Sequence, residues 1–159
     1  MKRILSIFIA LLLFATSQAQ IGRYTFARAT ASGEMYGSEM LTNGDFHDAS
    51  TWVPSDASFA ISTGFMVATN ALAYQGFFST DGACISGTGY HITFTISNYT
   101  SGSLAIQCEG GGTGNGTVRA ANGTYTEDVV AVSSGNIYFM NGGSLANFSV
   151  DNISIRPIL

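Results

Sequence analysis

Alternation of apolar and polar positions is clearest over residues 89–99. Tyr90, Ile92, Phe94 and Ile96 share one parity, while His91, Thr93, Thr95 and Ser97 share the other. A period of two is the spacing of a half-buried antiparallel strand, whose successive side chains point to opposite faces. Leu104 and Ile106 repeat the pattern in residues 103–108. Residues 125–132 follow an Asn122-Gly123 turn, and residues 137–140 follow Ser134-Gly135-Asn136. Towards the N-terminus, Pro54-Ser55-Asp56 breaks the chain, and residues 57–62 and 65–69 read as a hairpin about Thr63-Gly64. Residues 71–79 carry a dense aromatic group, Tyr74, Phe77 and Phe78, ahead of an Asp81-Gly82 turn.

In the tail, residues 147–159, Phe148 and Val150 share a parity opposite to that of Ile153 and Ile155. A one-residue shift at Asp151-Asn152 returns both pairs to one face, which predicts a β-bulge there. No stretch of ten or more residues after the first twenty has the 3.6-residue apolar period of a helix. The chain therefore reads as all-β, a two-sheet antiparallel β-sandwich rather than a barrel. Residues 41–52 and the tail are expected to be its first and last strands, lying side by side with Phe46 near Val150.

The first nineteen residues follow a different rule. Lys2 and Arg3 precede an apolar run over residues 4–14, and Ser17-Gln18-Ala19 supplies small residues before a cut after Ala19. That is the layout of a secretory signal peptide, and the run is short for a membrane span. Residues 1–19 are read as signal, 20–39 as an arm or linker, and 40–159 as the domain. The expected location is secreted or extracellular, with no membrane association after cleavage.

Composition narrows the partners. Only 10% of residues are charged, against 19 Gly and many Ser, Thr and Asn, so hydroxyls and amides keep the surface soluble. Losing Lys2 and Arg3 leaves four Arg against ten acids, a net −6 with no Lys. Nucleic-acid binding needs clustered basic residues and is excluded. Cys84 and Cys108 are the only cysteines, and they are either a disulfide or two buried small side chains. With His47 and His91 as the only histidines, no zinc spacing exists.

Catalytic motifs are absent. There is no Gly-x-Ser-x-Gly, and the Gly-rich residues 109–116 lack any phosphate-loop ending. Glu109, Glu127 and Asp128 are the acids from which a glycosidase pair would have to be drawn, which leaves a small glycoside hydrolase as a remote alternative. Five Asn-x-Ser/Thr triplets, at Asn98, Asn115, Asn122, Asn147 and Asn152, are expected by chance in so Ser- and Thr-rich a chain.

Several short motifs recur in a telling order: Leu41-Thr-Asn-Gly-Asp-Phe46 followed by Trp52, Tyr74-Gln-Gly-Phe77, Gly89-Tyr90 opening a strand, Thr124-Tyr-Thr126, and Val150-Asp-Asn-Ile-Ser-Ile155. Over residues 40–158 this resembles the jelly-roll carbohydrate-binding modules appended to bacterial cellulases and xylanases, which also occur in phage tail and fibre proteins. The resemblance implies a sandwich of jelly-roll type. It also implies a structural calcium joining the first strand to the last, with Asn43, Asp45 and Asp151 as ligands, although Asp45 and Asp151 equally suit turn caps. It implies a sugar site on the concave sheet or its rim loops, with Tyr74, His91, Gln107, Glu109, Tyr125 and Tyr138 as candidates. Trp52, the single Trp, is expected to plug the core.

The function expected from that resemblance is a non-catalytic module recognising a polysaccharide or cell-surface glycan. No enzyme segment accompanies the module in this sequence, so it is expected to act alone as a displayed adhesin or virion appendage, gaining avidity by multiplicity. The alternative is a structural virion or assembly protein without a sugar site, such as a capsid decoration or fibre subunit, acting as a homo-oligomer or with a virion partner.

Overall fold

In the computed structural model, residues 35–108 and 116–159 are described, and a compact unit spans Tyr36–Leu159. The signal segment, residues 20–34 of the arm and Glu109 lie outside the described residues. Among the described residues there are nine strands and no helix. They are β1 (Trp52–Pro54), β2 (Phe59–Ser62), β3 (Phe65–Ala71), β4 (Gly76–Ser79), β5 (Gly89–Ser101), β6 (Ala105–Cys108), β7 (Gly123–Val130), β8 (Ile137–Met140) and β9 (Ala146–Pro157). All pairings are antiparallel, in a four-stranded sheet ordered β1-β4-β8-β6 and a five-stranded sheet ordered β2-β3-β9-β5-β7. This is the two-sheet antiparallel sandwich that the alternating pattern calls for, of the jelly-roll type that the resemblance implies.

The parity of β5 sets the core. Tyr90, Ile92, Phe94 and Ile96 are all buried and face Phe77, Ile106 and Phe139 of the other sheet. Phe77 and Phe139 stack at 5.2 Å, Trp52 meets Phe77 edge-on at 5.6 Å, and Phe46 lies 4.7 Å from Trp52. Each such ring contributes about 1.5–3 kcal/mol by leaving water. Phe46 and Val150 belong to this one cluster, and Trp52 is its plug.

Local chemistry explains the turns and the bend. β2 and β3 meet at Thr63 (φ 49°) and Gly64 (φ 81°), two left-handed residues as a tight twisted hairpin requires. In β9, Ser154 sits opposite Thr93 while Asp151 sits opposite Thr95, so β9 carries one extra residue over that interval. Asn152 takes the left-handed conformation there (φ 52°), and Val150 and Ile153 both reach the core. The bulge falls where the change of parity predicts it.

Residues 41–52 depart from the expectation of a first strand. Asn43 donates from Nδ2 to the Asp48 carbonyl (2.8 Å) and accepts from the His47 amide (2.9 Å), while Asp48 accepts from the Ser50 amide (2.7 Å). Such local bonds offer the backbone an alternative to a ladder. Phe46 enters the core on a left-handed residue (φ 52°) rather than from a strand. The neighbour of the tail is instead an irregular strap beginning at Tyr36, four residues before the expected domain boundary. Gly37 N donates to Pro157 O (2.7 Å), Met40 N to Ile155 O (2.9 Å), and Ile153 N to Gly44 O (2.8 Å). The Glu39 carboxylate accepts from Ser154 Oγ and from the Ile155 amide. The strap thus flanks the second half of β9, whose first half pairs with β3.

Cys84 and Cys108 are joined in a disulfide with Cα atoms 5.9 Å apart, linking the β4–β5 connection to the end of β6. Closing a loop of 24 residues stabilises the fold by about 3 kcal/mol in the chain-entropy account.

Candidate functional site

Phe77, Ile106 and Phe139 face the core, so their strand neighbours face outward from the four-stranded sheet. Val53 lies opposite Phe78, Phe78 opposite Tyr138, and Tyr138 opposite Gln107, one residue from each strand in a row across the sheet. The Phe78 and Tyr138 rings sit 4.9 Å apart at 43°. A second row places Gly76 opposite Met140 and Met140 opposite Ala105. At Gly76 a Cβ would lie 2.1 Å from the Phe139 carbonyl oxygen, so only glycine fits and that position adds no side chain to the face. The result is an apolar, partly aromatic strip that ends on the Gln107 carboxamide.

A braced rim borders the strip where β4 begins and β8 ends. Asn141 is fully buried, and its Nδ2 donates to the carbonyls of Ala71 (3.1 Å), Leu72 (3.1 Å) and Ser144 (2.8 Å). Its Oδ1 accepts from the Ser103 amide (3.1 Å) and the Gly143 amide (3.3 Å). One side chain therefore ties three loops together. Its carbonyl accepts from the Tyr74 amide (2.7 Å), which helps hold Tyr74 left-handed (φ 65°) and 77% exposed, two residues before Gly76. A bulky residue persists in that conformation only where its surroundings over-determine it.

The sugar candidates separate accordingly. Gln107 and Tyr138 are direct cross-strand neighbours, and Tyr74 stands at the rim of the same sheet. His91 points outward from the other sheet, with its ring stacked on Tyr36 (4.2 Å) and Nδ1 2.7 Å from Asp128 Oδ1. Tyr125 corrects the expectation of an outward ring. It pairs in register with Phe94 and so shares its inward face, with its hydroxyl donating to Ala121 O (2.8 Å) and the Arg119 guanidinium 4.9 Å from its ring centre. Glu127 and Asp128 are consecutive in β7 and point to opposite faces, Glu127 inward and Asp128 outward to His91. Phe78 and Met140 were missed by sequence reasoning. A signal existed, since adjacent Phe77 and Phe78 in one strand cannot both face the core.

The calcium candidates are engaged elsewhere. Asn43 is buried and organises the turn, its carbonyl also accepting from Trp52 Nε1 (2.7 Å). Asp45 Oδ1 lies 2.9 Å from His47 Nδ1, and Asp151 Oδ1 accepts from the Asn152 amide (2.6 Å). Among the described residues no group of three His, Cys, Asp or Glu side chains is placed to hold a metal. A hard cation would need six to eight oxygens, and these side chains are hydrogen-bonded within their own turns. The cluster has electrostatic consequences instead. The hydrogen bond that His47 donates to Asp45, aided by the Asp48 charge, raises the His47 pKa above 6.5. Asp45 is lowered below 3.8 chiefly by His47, and Asp48 chiefly by its bonds from Ser50.

No family model matches the sequence, and no curated protein matches it. Among solved structures, the arabinose-bound α-L-arabinofuranosidase MgGH51 superimposes on 79% of this chain with a TM-score of 0.56 at 16% identity, and the chain spans 27% of that protein. The N-terminal cellulose-binding domain of Cellulomonas fimi β-1,4-glucanase C matches 75% of this chain and 96% of its own (TM-score 0.51, 20% identity). The second N-terminal cellulose-binding domain of the same enzyme matches 81% and 99% (TM-score 0.53, 15% identity). At these identities the likeness is one of fold. The fold is shared with those cellulose-binding domains, in line with the resemblance carried by the sequence motifs.

Proposed function

We propose that the domain is a non-catalytic carbohydrate-binding module of an exported protein, holding a polysaccharide chain across the outer face of the four-stranded sheet. The observation that carries this reading is the row Val53, Phe78, Tyr138 and Gln107. Aromatic faces suit the apolar faces of pyranose rings, and a terminal carboxamide suits their hydroxyls. The spacing supports an extended chain lying perpendicular to the strands. Strands recur every ~4.8 Å, close to the ring repeat of an extended polysaccharide. The two neighbours that this chain covers almost completely are cellulose-binding domains, which supports the same ligand class.

Affinity electrophoresis and calorimetry against swollen cellulose, xylan and arabinan test it. Binding of at least one polysaccharide is expected, weakened about tenfold by Phe78→Ala or Tyr138→Ala, the equivalent of roughly 1.4 kcal/mol. His91→Ala, on the opposite sheet, should bind as the parent does. Full binding by both aromatic variants would refute the assignment of this face. Stable oligomers without any glycan signal would favour the assembly role.

A further inference from the structure

β7 carries a charged side chain turned into the sandwich. Glu127 lies opposite Ile92, faces inward and is only 8% exposed at its side chain. A buried carboxylate is costly unless it is paired, and all of this one's described contacts are with one short segment. Oε2 accepts from the Thr117 amide (2.9 Å) and from Arg119 Nη2 (3.2 Å). Oε1 is buried without a hydrogen-bond partner and packs against Gly116, where a Cβ would stand 2.6 Å away.

That segment belongs with the other sheet. Gly116 N donates to Ile106 O (3.0 Å), while Arg119 and Leu104 exchange both backbone bonds at 2.8 Å. Residues 116–119 therefore run along the free edge of β6. Arg119 turns inward over Tyr125, and Val118, one residue earlier, is 60% exposed on the outward side. An edge held by so few backbone bonds frays readily on its own. Between those backbone bonds the exposed Thr117 amide donates to Glu127, which reaches across from the five-stranded sheet to hold it.

We infer that Glu127 is a positioning residue: from the five-stranded sheet it fixes residues 116–119 against β6, extending the outer face of the four-stranded sheet by one bridged segment with Val118 as its apolar margin. The inference rests on that outer face being the binding face. No ligand lying on that face reaches the carboxylate, yet its loss should be felt there.

Amide hydrogen exchange and cellohexaose titration decide it. In Glu127→Ala the amides of Leu104, Gly116 and Arg119 should exchange at least about tenfold faster while those of β5 stay protected, the signature of local opening. Glu127→Gln keeps an acceptor for Thr117 and should restore most of that protection. Cellohexaose affinity should fall on the order of severalfold in Glu127→Ala and in Val118→Ser, and the double variant should lose little more than Glu127→Ala alone, as coupled sites do. Unchanged exchange at the three amides in Glu127→Ala overturns the inference, as do additive losses in the double variant. If Glu127→Ala fails to fold, Glu127→Met, which keeps the volume but offers Thr117 no carboxylate, takes its place, and unchanged exchange at the three amides in that variant overturns the inference equally. A parent protein that ignores cellohexaose and the polysaccharides counts against the binding face, while the exchange data still judge the positioning role.

Discussion

Asn141 offers the sharpest stability test. Replacing it with Ala removes one fully buried carboxamide and five side-chain hydrogen bonds, two of them, to the Ser103 amide and the Ala71 carbonyl, fully buried. A buried polar group left unsatisfied costs about 1–3 kcal/mol. The two buried partners therefore lose roughly 2–6 kcal/mol together, and the part-buried ones, which water can reach, add little. An expected loss of about 4 kcal/mol is a large share of the 5–15 kcal/mol typical of a domain. With a urea m-value of about 1.5 kcal/mol/M, the denaturation midpoint should fall by roughly 2–3 M at unchanged m. Asn147→Ala is the control. Its partly exposed amide bonds Asn70 and Ser101 near the surface, and its loss should cost under about 1 kcal/mol. Equal costs at the two positions would show that the carboxamide does not gather the loops.

Two further outcomes follow from the Asn43–Ser50 turn. Because His47 is raised above 6.5, its contribution is complete below that pH and is lost as pH climbs through the raised value. Asp45 and Asp48, lowered below 3.8, contribute above that pH and lose their effect as it falls through the lowered values. Thermal melts should therefore show a small decline in Tm as pH rises past 6.5 and through the raised value, and His47→Gln should flatten it; an equal slope in that variant would count against the Asp45–His47–Asp48 cluster. Calcium at about millimolar concentration should move Tm by less than about one degree, since bound ligand stabilises only as its concentration exceeds its Kd. A rise of several degrees, abolished by Asp151→Ala, would show that Asp45 and Asp151 exchange their present partners for the ion.

The strands were legible in the sequence where burial alternates strictly. β5 could be read residue by residue, and the bulge in β9 followed from the parities of Val150 and Ile153. Sheet membership was not legible. His91 and Gln107 both occupy outward positions, yet they lie on opposite sides of the molecule because strand order is fixed by distant pairings. Tyr125 was misjudged for a related reason. Its strand carries Glu127 at the same inward parity, and a charge among core positions obscures which face is buried. The strap escaped notice because its order comes from Pro157, Ile155 and Ser154 rather than from any pattern of its own.

The strap also governs how this domain can be separated or transplanted. A fragment started at Met40, where composition suggests the seam, would forfeit the Gly37–Pro157 link and both Glu39 contacts, leaving half of β9 as a raw margin open to pairing with neighbouring molecules. Grafts and expression fragments should keep Tyr36 onward, so that the polypeptide seals its own last strand.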